Sequence, residues 1–375
     1  MIMIRLSLKT LSLGLAALAC LLAATAGADT ITYEMVTVGN PGNANDTEGT
    51  GNGQVDYSYQ IGKYDVTIGQ YTDFLNAVAK TDTYSLYNAS METDLWVAGI
   101  SRAGLSGAYV YSVIGPSGTT PAGASSPGNR PITYVSWFDA ARFANWMANG
   151  QPTGAQSSTT TENGAYNVNG ATSGDTVAKN VTNPNTSAAP TFSIPTVNEW
   201  YKAAYYDPTL NGGTGGYYAY ATQSNVPPGN IIGSAANQAN WNTGSGYSVT
   251  QVGGSPEPDQ NYLTDVGAFS GSGSFYGTFD QSGNVDQWND LDGVPGSSRG
   301  KRGGWWYLTD PGGFSAGADG SASADTEDYS IGFRLAGPAS SPSSVPEIDP
   351  NSLGSVLALV LGSLGLLERR RLKAA

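Results

Sequence analysis

The chain has no histidine and a single cysteine, Cys20, among its 375 residues. Without histidine there is no Ser-His-Asp triad, no imidazole proton shuttle and no His-ligated zinc or haem. Cys20 sits inside an N-terminal apolar run, so loss of that run would leave no disulfide, no thiolate metal site and no thiol nucleophile. Charge is also scarce, at 13% of residues, and mostly of one sign: residues 29–345 carry 27 acidic and 11 basic side chains. Such a surface repels phosphate and anionic lipid, which argues against nucleic acid as a partner and favours cations.

What is present at the two ends reads as targeting. Residues 1–28 place Arg5 and Lys9 ahead of an apolar run that ends in Ala26 and Ala28, the pattern of a secretory signal peptide cut after Ala28. At the other end a Pro/Ser-rich linker at 338–350 precedes an apolar helix with a basic tail at 351–375. The apolar run Leu353 to Leu367 is short for a plain membrane span, and Arg369, Arg370 and Arg371 would stay cytoplasmic. The order of motif, apolar segment and arginines resembles the PEP-CTERM sorting signal, with Val345, Pro346 and Glu347 as the motif, although VPEIDP departs from the commoner VPEPS. That resemblance implies an exosortase-like processing enzyme as partner, a transient membrane anchor, and delivery to the cell envelope or extracellular matrix.

Between these ends, residues 29–337 are long enough for one large core. Three segments predict helices by one device. Thr67 stands three residues before Gln70, Ser136 before Asp139, and Thr196 before Glu199, each followed by apolar residues at helical spacing. The acidic members therefore read as capping groups ahead of general acids or bases. Short β-rich pieces, "EMVTVGN", "YSYQIGKYDVT", "GYYAYAT" and "IGFRLA", alternate with glycine-rich turns. The expected class is α+β in one loop-rich domain. Residues near 150–190, rich in Ser, Thr, Asn and Gly, read as a low-complexity surface insertion.

Six stretches in order, "GKYDVTIGQYTDFLNA", "RPITYVSWFDAARFANWM", "SIPTVNEWYKAA", "GNVDQW", "KRGGWW" and "IGFRLA", make the chain resemble the formylglycine-generating enzyme, or sulfatase-modifying factor, family. The resemblance implies a fold related to C-type lectins. Active members carry a copper-binding cysteine pair shortly after the R-G-G motif, and a gap-free match puts Leu308 and Gly313 at those positions. Neither binds copper, so no catalytic residue and no copper are expected. Some members hold calcium at the G-N-V-W-E-W turn. The matching set here is Asp280, the carbonyls of Gly283 and Val285, and Gln287 in place of the glutamate, with Asp286 and Asp290 nearby. Asn240 with Asp259 is the nearest match to a second family calcium site.

These readings favour an exported, non-catalytic module that binds a polysaccharide or protein at the envelope, with Trp305, Trp306 and Tyr307 as the candidate ligand face. Within that run, Trp306 matches a position that is aromatic in the family, whereas Trp305 replaces a small serine. The alternative is an enzyme of the same family with changed, cysteine-independent chemistry, for which Asp286, Asp290 and Asp310 are the available carboxylates.

Overall fold

The computed structural model describes residues 30–115, 127–174, 177–290 and 298–339. The chain divides into two compact units, 1–338 and 339–375. The leader, the sorting motif and the C-terminal helix lie outside the described residues. Among those described, no helix is long and apolar enough to cross a membrane.

The longer elements run in the order β1 (Met35–Val38), β2 (Tyr59–Gly62), α1 (Ile68–Val78), β3 (Ile100–Ala103), β4 (Val110–Val113), α2 (Trp137–Ala148), α3 (Val197–Tyr205), β5 (Asp286–Asn289), β6 (Ser298–Arg302), β7 (Gly320–Ser323), β8 (Ile331–Gly332) and β9 (Ala336–Pro338). All three helices open on the capping box read from the sequence. The hydroxyl of Thr67, Ser136 or Thr196 accepts from the backbone three residues on, and the Gln70, Asp139 or Glu199 side chain accepts from the cap amide. Two amides that the helix itself cannot satisfy are thereby paired at each start.

One antiparallel sheet has the order β1–β2–β9, so the last strand closes on the first, with Ala336 opposite Ile61. A second sheet runs β7–β6–β5–β8, with β8 parallel to β5. "IGFRLA" thus supplies strand residues to both sheets. "GYYAYAT" yields only a two-residue strand, Gly216–Tyr217, paired with Tyr206–Asp207, and its remaining residues turn.

The core lies between α1 and α2. Phe143 packs at 5.2 Å from Phe74, 5.4 Å from Phe333 and, stacked, 6.1 Å from Tyr71. Helix α2 is buried along all twelve residues rather than on one face. Its polar groups therefore need internal partners, and these come from the segment expected to be a surface insertion. Glu162 accepts from Arg142 Nε at 2.8 Å and Nη2 at 3.0 Å. Asn145 donates to the carbonyls of Thr161 and Tyr166 and accepts from Tyr166 N at 2.7 Å. Residues 150–190 are in this respect a cover for α2, with Tyr166 and Val168 in the core cluster.

Candidate functional site

The loop after β6 is set by two glycines. Gly303 and Gly304 hold φ of +109° and +67°, where side chains are strained, and a Cβ on Gly304 would lie 2.8 Å from both Leu308 Cδ1 and Phe314 Cβ. Asp286 on β5 pins the same loop. Its Oδ1 accepts from Gly304 N at 2.9 Å and its Oδ2 pairs with Lys301 Nζ at 2.5 Å. The three aromatic residues that follow are thereby fixed in different environments.

Trp306 is 1% exposed and stacks on Tyr262 at 4.8 Å with a 13° interplanar angle. It belongs to the core, which corrects its place in the expected ligand face. Trp305 is half-buried, meeting Tyr329 edge-on at 5.0 Å, and Tyr307 is 39% exposed and stacked on Tyr247 at 6.0 Å. Half-buried Trp96 completes the group at 6.3 Å from Tyr329. Beside it Asp94 accepts from Tyr134 Oη at 2.6 Å. The outward part of the run is Trp305 and Tyr307, with Trp96 and Tyr329, two residues the sequence reading passed over because they lie far apart along the chain.

Leu308 and Gly313, the positions matched to the copper cysteines, face each other. A Cβ built on Gly313 would sit 3.1 Å from Leu308 Cδ1. The residues present offer copper a hydrocarbon and a hydrogen, and do not fit the metal.

The four residues matched to a calcium turn are also drawn together, but their oxygens are committed. Gln287 Oε1 accepts from Trp200 Nε1 and from Arg334 Nε, both at 2.7 Å, which uses its two lone pairs. Gln287 Nε2 donates to the Asp280 carbonyl at 2.6 Å, and Asp280 Oδ2 accepts from Gly267 N at 2.7 Å. Gly283 N donates to the Gly303 carbonyl at 2.7 Å, and the Val285 side chain is fully buried. A guanidinium occupies the position a cation would need, so Gln287 is not a calcium ligand here. Asn240 is buried and its amide donates to Tyr262 O and Asn284 Oδ1, whereas Asp259 is exposed. Among the described residues no group of three or more acidic side chains is placed to hold a metal.

The remaining carboxylates serve the fold. Asp290 pairs with Arg299 Nη1 at 3.1 Å, and burial pushes it up to about 6 against the pull of Lys179 and Arg299. Asp310 accepts from Gly312 N at 2.9 Å and so caps a short 3-10 turn at Pro311–Phe314. The larger polar feature is one the sequence reading missed. Arg334 is fully buried and donates to Gln287, to the carbonyls of Gly62 and Phe279, and to Asp65 Oδ1 at 3.1 Å. Both ends were in quoted motifs, "KYDVT" and "GFR", which is the signal that could have found it.

The Sulfatase-modifying factor enzyme 1-like domain model matches residues 28–339. No curated protein matches the chain. Among solved structures, Treponema denticola variable protein 1 is 17% identical, covering 83% of this chain and 97% of its own, with a TM-score of 0.46. CarF is 21% identical over 82% of this chain and 99% of its own, with a TM-score of 0.43. PvdO from Pseudomonas aeruginosa is 15% identical over 82% of this chain and 92% of its own, with a TM-score of 0.37. On the strength of the family match, which spans nearly all of the described residues, the chain belongs to the sulfatase-modifying factor enzyme 1-like family.

Proposed function

We propose that this chain is a non-catalytic member of its family, exported and acting by recognition at the cell envelope or extracellular matrix. The observation that carries the reading is the apposition of Leu308 and Gly313 in a chain whose single cysteine is Cys20. Copper-dependent oxidation of a substrate cysteine needs thiolate ligands, and no side chain at this place supplies one. The carboxylates weighed for other chemistry are held in structural roles, Asp286 by Lys301, Asp290 by Arg299 and Asp310 by its turn. What is left open to solvent beside Leu308 is aromatic. Trp305 and Tyr307 present large rigid rings that lose little conformational entropy on binding, which suits a polysaccharide or peptide partner.

The test is direct. The purified chain is incubated with copper, oxygen and a cysteine-containing sulfatase peptide, and the peptide is weighed by mass spectrometry. Unchanged peptide is expected, and formylglycine product overturns the reading.

A further inference from the structure

Away from the aromatic face, a cleft of about 590 Å³ lies beside the start of α1. Asp65, fully buried, is part of its lining. Asp65 Oδ1 is occupied by Arg334 Nη2 at 3.1 Å, but Oδ2 is buried with no hydrogen-bond partner. An unpaired buried carboxyl oxygen costs on the order of 1–3 kcal/mol, which a suitable ligand would recover.

The lining narrows the chemistry of that ligand. Among the described residues no lysine or arginine lines the cleft, so a phosphate, sulfate or carboxylate would find no counter-charge there. A cation gains little, because Glu34 already holds Lys63 Nζ at 2.8 Å and Asp65 already holds Arg334. Burial pushes Asp65 up to about 8 against the pull of Arg334, so near neutrality its free oxygen is either donor or acceptor. A hydroxyl matches both states, whereas a cation matches only the ionised one. The cleft also offers the half-buried ring of Tyr64, packed at 5.6 Å on Phe279, and the Thr67 hydroxyl. An aromatic ring for the apolar face of a pyranose, with a few fixed polar groups for its hydroxyls, is the make-up of a neutral sugar site.

We propose that this cleft binds an uncharged glycosyl unit of a polysaccharide, with a sugar hydroxyl exchanging a hydrogen bond with Asp65 Oδ2 and the ring lying against Tyr64. The proposal rests on the reading of the chain as a recognition module and places a ligand site outside the Trp305–Tyr307 face.

Val113 is exposed and lines the cleft, so Val113→Arg fills it without touching the core. The full chain, Val113→Arg, Tyr64→Ala and Tyr307→Ala are compared by affinity electrophoresis through dextran, mannan, polygalacturonate and poly-lysine, with melting temperatures recorded. Retention by at least one neutral glycan is expected, falling about tenfold or more in Val113→Arg and Tyr64→Ala. Val113→Arg should melt as the parent does, and Tyr307→Ala should bind as the parent does. The cleft site is overturned by full retention of Val113→Arg, by retention on the charged polymers alone, or by no retention on either neutral glycan. Loss in Tyr307→Ala with full binding by Val113→Arg also overturns it, yet leaves recognition by the aromatic face standing. Formylglycine production would instead remove the non-catalytic reading, whichever polymer is bound.

Discussion

A Cβ on Gly313 would stand 3.1 Å from Leu308 Cδ1 and 3.9 Å from its Cγ. Thiols placed at these two positions would therefore meet, because a cysteine sulfur takes roughly the place of Cγ. The loop retains the geometry for a soft-metal pair while carrying residues that cannot form one. Leu308→Cys with Gly313→Cys is expected to bind about one Cu(I) per chain with thiolate-to-copper absorbance, while either single change binds far more weakly. Competition with a Cu(I) chelator reads the result. Equal, weak copper binding by the double and single variants would mean the two positions do not converge.

The aromatic run separates by burial, and so should the costs of truncating it. Trp306→Ala empties a site where a fully buried indole stacks on Tyr262, with an expected loss of about 3–5 kcal/mol. Tyr307→Ala removes a ring that is 39% exposed, and its effect should stay near or below about 1 kcal/mol. Denaturant unfolding of both variants checks this. Equal losses would contradict the assignment of Trp306 to the core and Tyr307 to the surface.

Gln287 bridges Trp200, Arg334 and the Asp280 carbonyl, which gives two linked expectations. Added calcium should leave the melting temperature unchanged, since no oxygen of Gln287 is free to coordinate it. Gln287→Glu, which restores the family residue, replaces the amide donor facing Asp280 O by an acceptor and should cost about 1–3 kcal/mol at neutral pH. A calcium-dependent rise in melting temperature in the parent chain would show that the turn opens to take the ion.

Helix starts were legible because a capping box is local: both partners lie three residues apart, and their backbone need sets their identity. The loop at Gly303 and Gly304 was legible for a similar reason, as positive φ leaves few alternatives. Long-range polar pairing was not. Asp65 and Arg334 are 269 residues apart, and nothing in either neighbourhood names the other. Residues 150–190 misled by composition, since their value lies in three well-placed groups, Glu162, Tyr166 and the Thr161 carbonyl, which satisfy the buried Arg142 and Asn145. Removing one partner leaves a buried charge exposed to that cost. Glu162→Ala should therefore destabilise by about 3–5 kcal/mol and speed proteolysis within 150–190, an outcome that a loosely attached surface insertion would not give.

Acidity should stabilise this protein rather than weaken it. Burial is the largest influence on three of its carboxyls, raising Asp280 and Asp290 from 3.8 to about 6 and Asp65 to about 8. Each therefore keeps its proton in the folded chain at a pH where the unfolded chain has released it. The folded state binds more protons through this window, so stability falls as pH rises from about 4 to about 8, and the contribution is whole only below the unfolded value. The excess of acidic side chains adds repulsion in the same direction. Melting temperature is expected to be several degrees higher near pH 5 than near pH 8. Asp65→Asn keeps the acceptor for Arg334 but cannot titrate, and should flatten the part of the profile above about pH 6. A parent profile that rises with pH would mean that Arg334 and Arg299 hold these carboxyls ionised in the fold, and that their charges, not their protons, are what the core is built to keep.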